Sequence, residues 1–289
     1  MNVLLGDQTR TWAMRAVTWG PARYQLKKRA HTVARARGRI LSATGSLPEV
    51  ANIFAASSPK AGSQWMRALF DHPIVRSHTG LLTMPQLDYR VRPERGLPRG
   101  TFVPGLYVSY DTYVRMPYRD STRTIYMFRD PRELMVSGYY SATVSHVYTY
   151  TAEVEQVRDE IRSLPFDQGL LHLIEYSSDR LRDMATWVGV DDPSVAVFRL
   201  EEVAADPATH VRGMLKHCQV ELNEIEFESL LAAVSRDALQ AADLATRAPG
   251  AQSHYRQDAP PAEMLLKPMH IEAIERIAPG LIDAVGRGR

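Results

Sequence analysis

Apolar residues fall in short continuous runs, separated by longer stretches in which they recur every three or four positions. The first run, ANIFAA at residues 51–56, breaks into the polar stretch Ser57-Ser58-Pro59-Lys60-Ala61-Gly62-Ser63-Gln64 and resumes as an amphipathic segment from Trp65 to about Phe70. Short apolar runs bounded by turn residues read as buried strands, and three-and-four spacing reads as helix. Further strands are expected at residues 106–110 (LYVSY), 124–128 (TIYMF) and 194–198 (SVAVF). Helices are expected over 152–164 and 166–188, the second carrying Leu170, Leu171, Ile174, Leu181, Met184 and Trp187. Two helix starts are marked locally. Asp130-Pro131-Arg132-Glu133 offers a capping Asp, Pro at the first helical position and Glu three after the cap, and Asp206-Pro207 repeats the cap and proline. Strands alternating with helices predict an α/β fold, with a central parallel sheet flanked by helices on both faces.

The chain has 289 residues, 45% of them hydrophobic, enough for one large domain. Its charge is unevenly spread. Residues 8–48 hold nine Lys or Arg and no Asp or Glu, whereas the whole chain nets only +2. We therefore divide it into a basic N-terminal extension, 1–48, and a domain, 49–289. The small net charge argues against nucleic acid as a partner. The basic extension, with Trp12, Trp19 and Tyr24, suits peripheral contact with an anionic membrane face. A single cysteine, Cys218, excludes an internal disulfide framework and fits a reducing compartment. With no apolar run long enough to span a bilayer and no apolar signal core, a cytoplasmic protein, membrane-associated through its extension, is expected.

Ligands of open α/β sheets sit beyond the carboxyl ends of the strands. Both the loop at 57–64 and Arg129 fall at such ends, so a site formed jointly by these segments is expected. A strand–loop–helix junction suits an anion, because the first helical turn presents unpaired N–H groups and the positive end of the dipole. A nucleoside triphosphate loop would read G-x-x-x-x-G-K-[ST]. Here Lys60 precedes Gly62, and Ser63-Gln64 stand where the phosphate- and magnesium-binding pair belongs, so a kinase reading would require a degenerate loop. In the second segment Ser137 follows Asp130 by two helical turns, on the same face. A guanidinium with a nearby hydroxyl makes a phosphate clamp.

Taken together, these residues resemble the sulfotransferases that use 3′-phosphoadenosine 5′-phosphosulfate. Ser58-Pro59-Lys60-Ala61-Gly62-Ser63-Gln64-Trp65 is similar to that family's YPKSGTTW. Arg129-Asp130-Pro131-Arg132-Glu133-Leu134-Met135-Val136-Ser137 is similar to its R-N-P-x-D-x-x-x-S, with the Arg-to-Ser interval kept. FRLEEVAADP resembles R-Y-E-D-L-x-x-D-P, and Ser253-His254-Tyr255-Arg256-Gln257 resembles the Y-R-K-G near the family's C-terminus. The four occur in family order.

The resemblance implies a P-loop-like nucleotide-binding fold and transfer of a sulfuryl group to a hydroxyl, less readily an amine, of a carbohydrate, glycolipid or small metabolite. It implies that Lys60 contacts the oxygen bridging phosphorus and sulfur, where charge grows as the S–O bond breaks. Ala61, Gly62, Ser63 and Gln64 would cradle the 5′-phosphosulfate, and Trp65 would stack on adenine. Arg129, Ser137 and Arg256, assisted by Gln257, would grip the 3′-phosphate. Two positions depart from the pattern: Asp258 replaces the last glycine, and Leu200 stands where Tyr is frequent. The family histidine of K-T-H-L-P is absent from Val108-Ser109-Tyr110-Asp111-Thr112. A proton must still leave an attacking hydroxyl; Asp111 and then Asp88 are the leading bases, with Tyr110, His72 and His78 the others. No metal site is expected, since His210, His217 and Cys218 share one helix without a completing pair. The competing reading is a non-catalytic nucleotide- or membrane-binding module.

Overall fold

The structure is a computed structural model that describes residues 20–85, 93–145, 152–245 and 260–286. Helix α1 (Gly20–Ala43) leads to strand β1 (Asn52–Ser57), helices α2 (Ser63–Phe70) and α3 (Pro73–Thr79), and the short strand β2 (Leu82–Thr83). Strand β3 (Thr101–Leu106), helix α4 (Tyr110–Val114), strand β4 (Thr122–Phe128) and helix α5 (Pro131–Tyr140) follow. Helices α6 (Ala152–Ser163), α7 (Phe166–Tyr176) and α8 (Ser178–Ala185) precede strand β5 (Val195–Arg199). The remainder is helical: α9 (Leu200–Ala205), α10 (Pro207–His217), α11 (Glu224–Ala233), α12 (Arg236–Ala245), α13 (Ala262–Leu265), α14 (Pro268–Ile277) and α15 (Leu281–Gly286).

The sheet has the order β2-β3-β1-β4-β5, with every neighbouring pair parallel. A parallel sheet must be covered on both faces, and the alternation along β1 and β4 divides their side chains accordingly. Phe54, Ala56, Tyr126 and Phe128 pack with Leu170, Ile174, Leu181 and Trp187 on one face. Ile53, Ala55, Ile125 and Met127 pack with Met66, Leu69, Val211 and Met214 on the other. The expected single-domain α/β architecture is therefore the observed one.

Two expected elements change. The strand placed at 106–110 lies instead at Thr101–Leu106, and LYVSYDTY is a strand end, a loop and the start of α4. Ser109 caps that helix by accepting from Thr112 N. Pro104-Gly105 concealed the strand. Proline is tolerated there because β2 pairs only with Thr101 and Phe102, leaving Pro104 without a strand on that side. The register against β1 slips between Ala55 and Ala56, beside Gly105 at φ 68°. The helix expected over 166–188 is two helices, α7 and α8, divided at Ser177.

Helix α1 packs at the end of the sheet where β2 and β3 begin. Arg37 donates to Gly100 O (2.9 Å) and Gly80 O (3.0 Å), and Arg35 donates to Gly96 O (2.8 Å). Gly38 is required for this approach, since a Cβ there would sit 2.7 Å from Arg99 O. Cys218 is buried at the end of α10, and burial pushes its thiol pKa up, consistent with a packing role. Among the described residues, no helix is long and apolar enough to cross a membrane.

Candidate active site

The topology selects one crevice. From β1 the chain turns outward to β2 and β3, and from β4 it turns the other way to β5. The connections leaving β1 and β4 thus diverge, which opens the carboxyl edge between these two adjacent strands. The loop carrying Lys60 leaves β1 there, and Arg129 leaves β4 beside it.

The loop turns by means of two residues in the left-handed region, Lys60 at φ 76° and Gly62 at φ 79°. Gly62 is the natural occupant of such a position; it is also crowded, a Cβ there lying 2.9 Å from Leu200 Cδ1. Lys60 is strained by the same geometry, and a non-glycine residue holding this conformation marks a backbone fixed by its surroundings. Part of that constraint is visible. Ala61 N donates to Ser58 O (3.2 Å), and the Tyr126 hydroxyl, fully buried under the loop, is hydrogen-bonded to Ser58. Helix α2 then begins, its first intrahelical bond running from Met66 N to Gly62 O (2.9 Å). The N–H groups of Ser63, Gln64 and Trp65 lie before that bond, at the positive end of the helix. Tyr107, from the end of β3, donates its hydroxyl to Ser63 Oγ (3.0 Å).

Arg129 joins the two segments. Its Nη1 donates to Lys60 O (2.9 Å), and its Nη2 lies 3.6 Å from Glu133 Oε2. Burial lowers its pKa, while Glu133, Glu201 and Asp130 act in the opposite direction. With its side chain only 22% exposed, the guanidinium is a largely desolvated fixed charge beside the strained loop.

The start of α5 differs from the expected capping box. Asp130 caps by accepting from Arg132 N (2.8 Å), and it also pairs with the Arg132 guanidinium (2.6 Å). Glu133, however, turns away from the cap. Its Oε1 accepts from Ala262 N (2.8 Å), tying α5 to α13. The Asp130 N–H is satisfied instead by Glu201 Oε1 (3.0 Å), from α9. Among the described residues, Glu201 Oε2 and the Ser57 hydroxyl at the end of β1 are both buried without a hydrogen-bond partner. In the sequence, Glu201 is marked only by its place in FRLEEVAADP, immediately after β5 and Leu200.

The other expected residues divide clearly. Ser137 lies partly exposed on α5. Trp65 is half-buried, and its Nε1 donates to Val234 O (3.0 Å), fastening α2 to the end of α11. Asp111 is exposed in the first turn of α4, just past the end of β3. Near it is Asp183 on α8, whose pKa is raised by burial, then by Asp179 and Asp111. Thr186 fixes this junction, accepting from Tyr110 N (2.8 Å) and donating to Asp183 O (2.6 Å).

Tyr110 does not present a basic oxygen. Its hydroxyl donates to Asp192 (3.0 Å), and burial and then that bond push its pKa up. His72 caps α3 through Nδ1, which accepts from Ile74 N (3.3 Å), and His78 pairs with Glu226 (3.1 Å). Asp88, Arg256 and Gln257 lie outside the described residues. Among the described residues, no group of three His, Cys, Asp or Glu side chains is arranged to hold a metal ion.

No protein-family model matches this chain, and no curated protein matches it in sequence. Solved structures do resemble it. A mouse sulfotransferase, SULT7A1, complexed with PAP superposes with a TM-score of 0.54 at 14% identity, covering 81% of this chain and 86% of its own. A retinol dehydratase in complex with androsterone and inactive cofactor PAP superposes with a TM-score of 0.51 at 14% identity, covering 84% of each chain. The single α/β domain with its five-stranded parallel sheet therefore has the sulfotransferase fold.

Proposed function

We propose that the protein transfers a sulfuryl group from 3′-phosphoadenosine 5′-phosphosulfate to a hydroxyl of a carbohydrate, glycolipid or small metabolite. The observation that carries this reading is the bond from Arg129 Nη1 to Lys60 O at 2.9 Å. It brings the two sequence segments expected to hold the two ends of one nucleotide into a single crevice.

The residues present suit a ligand with an anionic group at each end. The loop presents an ammonium, a left-handed glycine and the first-turn N–H groups of α2, with Arg129 at the end of β4 and Ser137 on α5. The donor, when bound, supplies an activated sulfuryl group whose bridging oxygen gains charge on cleavage. Lys60 stabilises that charge, more strongly at the transition state than before it. Ala61, Gly62, Ser63 and Gln64 orient the 5′ end, and Trp65 flanks the base. Arg129 and Ser137, with Arg256 and Gln257, select for a 3′-phosphate over ATP. Asp111 takes the acceptor proton, in preference to Asp88. No metal ion takes part.

Isothermal titration of the purified chain with 3′-phosphoadenosine 5′-phosphate, against ADP with magnesium, tests the clamp. Binding of the first and little of the second is expected. The Lys60→Ala variant should keep its melting temperature and lose turnover on the order of 10²-fold or more with labelled donor. Preference for ADP with magnesium would overturn the reading, as would full turnover without Lys60. Tight binding with no turnover on any hydroxyl acceptor would favour the non-catalytic module.

A further inference from the structure

Helix α1 shows two unlike faces. Ala34 and Gly38 face the domain, with Leu41 half-buried beside them, and Arg35 and Arg37 reach back to carbonyls of Gly96, Gly80 and Gly100. The opposite arc, at 3.6 residues per turn, carries Lys28, Arg29, Thr32, Ala36, Arg39 and Ile40, all exposed. Ile40 is 63% exposed and Val33 45%; seven residues apart, they lie on the same side, two turns along.

No acidic residue lies between positions 8 and 48, so nothing on this helix neutralises its charge. Arg29 and Arg39 make no ion pair among the described residues. A solvated helix face ordinarily mixes signs at i,i+4, whereas here Arg35 and Arg39 repeat one sign at that spacing, which is unfavourable without an anionic partner. The crowding of positive charge is felt within the helix: His31 has its pKa lowered to about 4, by burial first and then by Arg35 and Lys27.

We propose that the outer face of α1 docks the protein on an anionic phospholipid surface. Arg29 and Arg39 meet the headgroup phosphates, and Ile40 with Val33 enters the boundary beneath them. Basic charge, here that of Arg29 and Arg39, beside an exposed aliphatic pair is the combination such an interface takes. The docking has a fixed sense. Because α1 lies at the amino ends of the strands, about 20 Å of strand separates it from the crevice. The docked protein therefore opens its crevice toward water, which among the proposed acceptors favours a soluble carbohydrate or small metabolite over a glycolipid.

The test is co-sedimentation of the full chain with phosphatidylcholine vesicles, with or without phosphatidylglycerol, at low and high salt. Binding to the anionic vesicles alone, weakened by salt, is expected. The Arg29→Ser/Arg39→Ser variant should bind about fivefold more weakly for each charge removed, and Ile40→Ser should weaken binding without changing its salt dependence. Far-ultraviolet circular dichroism and unchanged nucleotide binding verify that each variant is folded. Failure to bind anionic vesicles, equal binding to neutral ones, or indifference to both variants would overturn the proposal. Stronger salt-sensitive retention by duplex DNA than by the vesicles would overturn it in favour of a nucleic-acid partner.

Discussion

At Gly62 two separate demands meet at one residue. Its φ of 79° disfavours any side chain, and Leu200 Cδ1 occupies the place of a Cβ at 2.9 Å. Leu200 is a flexible side-chain end and yields, so the steric part is smaller than the backbone part. A Gly62→Ala variant should lose about 1–2 kcal/mol, the backbone strain being partly offset by the reduced entropy of the unfolded chain. Urea denaturation measures the loss. Combining the change with Leu200→Ala, in a double-mutant cycle, should recover only the steric part. Full recovery would mean that the left-handed conformation costs nothing here. The same variant reports on function, because displacing Gly62 moves Lys60 and the first turn of α2 together; nucleotide affinity should fall alongside stability.

Among the elements, the start of α5 shows how distant parts of the chain make one site. Glu201 is the partner of the Asp130 N–H at 3.0 Å, 71 residues away in sequence, and its charge also favours protonated Arg129. Removing the carboxylate in Glu201→Ala leaves a buried donor unsatisfied, which should cost about 1–3 kcal/mol in a denaturation experiment. Glu201→Gln keeps an acceptor and should cost less, yet should alter nucleotide affinity by changing the field at Arg129. Equal stability for the two variants would show that the Asp130 bond contributes nothing.

This network also marks where sequence reading stopped. Strands β1, β4 and β5 were legible because each is a continuous apolar run. The Asp130-Pro131 start was legible because capping is local. Strand β3 was misplaced, since Pro104-Gly105 interrupts its pattern, and its tolerance there depends on how short β2 is. Glu201 went unassigned because only the folded sheet brings β5 beside β4. Glu133 suggested a local cap, whereas in the fold it bonds Ala262 N, across 129 residues.

For the molecule as a whole, these groups set how stability varies with pH. In the folded state His31 has its pKa lowered to about 4, against an ordinary value near 6.5 in the unfolded chain. Between those values the unfolded chain binds a proton that the folded chain refuses. Stability is therefore complete above about pH 6.5 and declines as pH falls toward 4. His72 and His217 shift in the same direction, burial being the largest cause for each.

The carboxylates act in a lower window. Burial raises Asp130 and Asp192, but hydrogen bonds outweigh it, from Arg132 for the first and from Ser194 and Tyr110 for the second, so both end below the ordinary value. Their contribution is present above about pH 3.9 and is lost only as pH falls further, through their folded values. The decline between pH 6.5 and 4 thus comes from the histidines, opposed by Asp183, whose raised pKa lets the folded chain take up a proton before the unfolded one. His31 is partly exposed, and after discounting for solvent screening its share is on the order of 1–2 kcal/mol. The urea midpoint of the wild type should fall from pH 7 to pH 4.5, and in a His31→Gln variant the fall should be smaller by that much. Equal falls in both proteins would mean that α1 admits a protonated His31, and that its basic neighbours, Lys27 and Arg35, are already shielded from it.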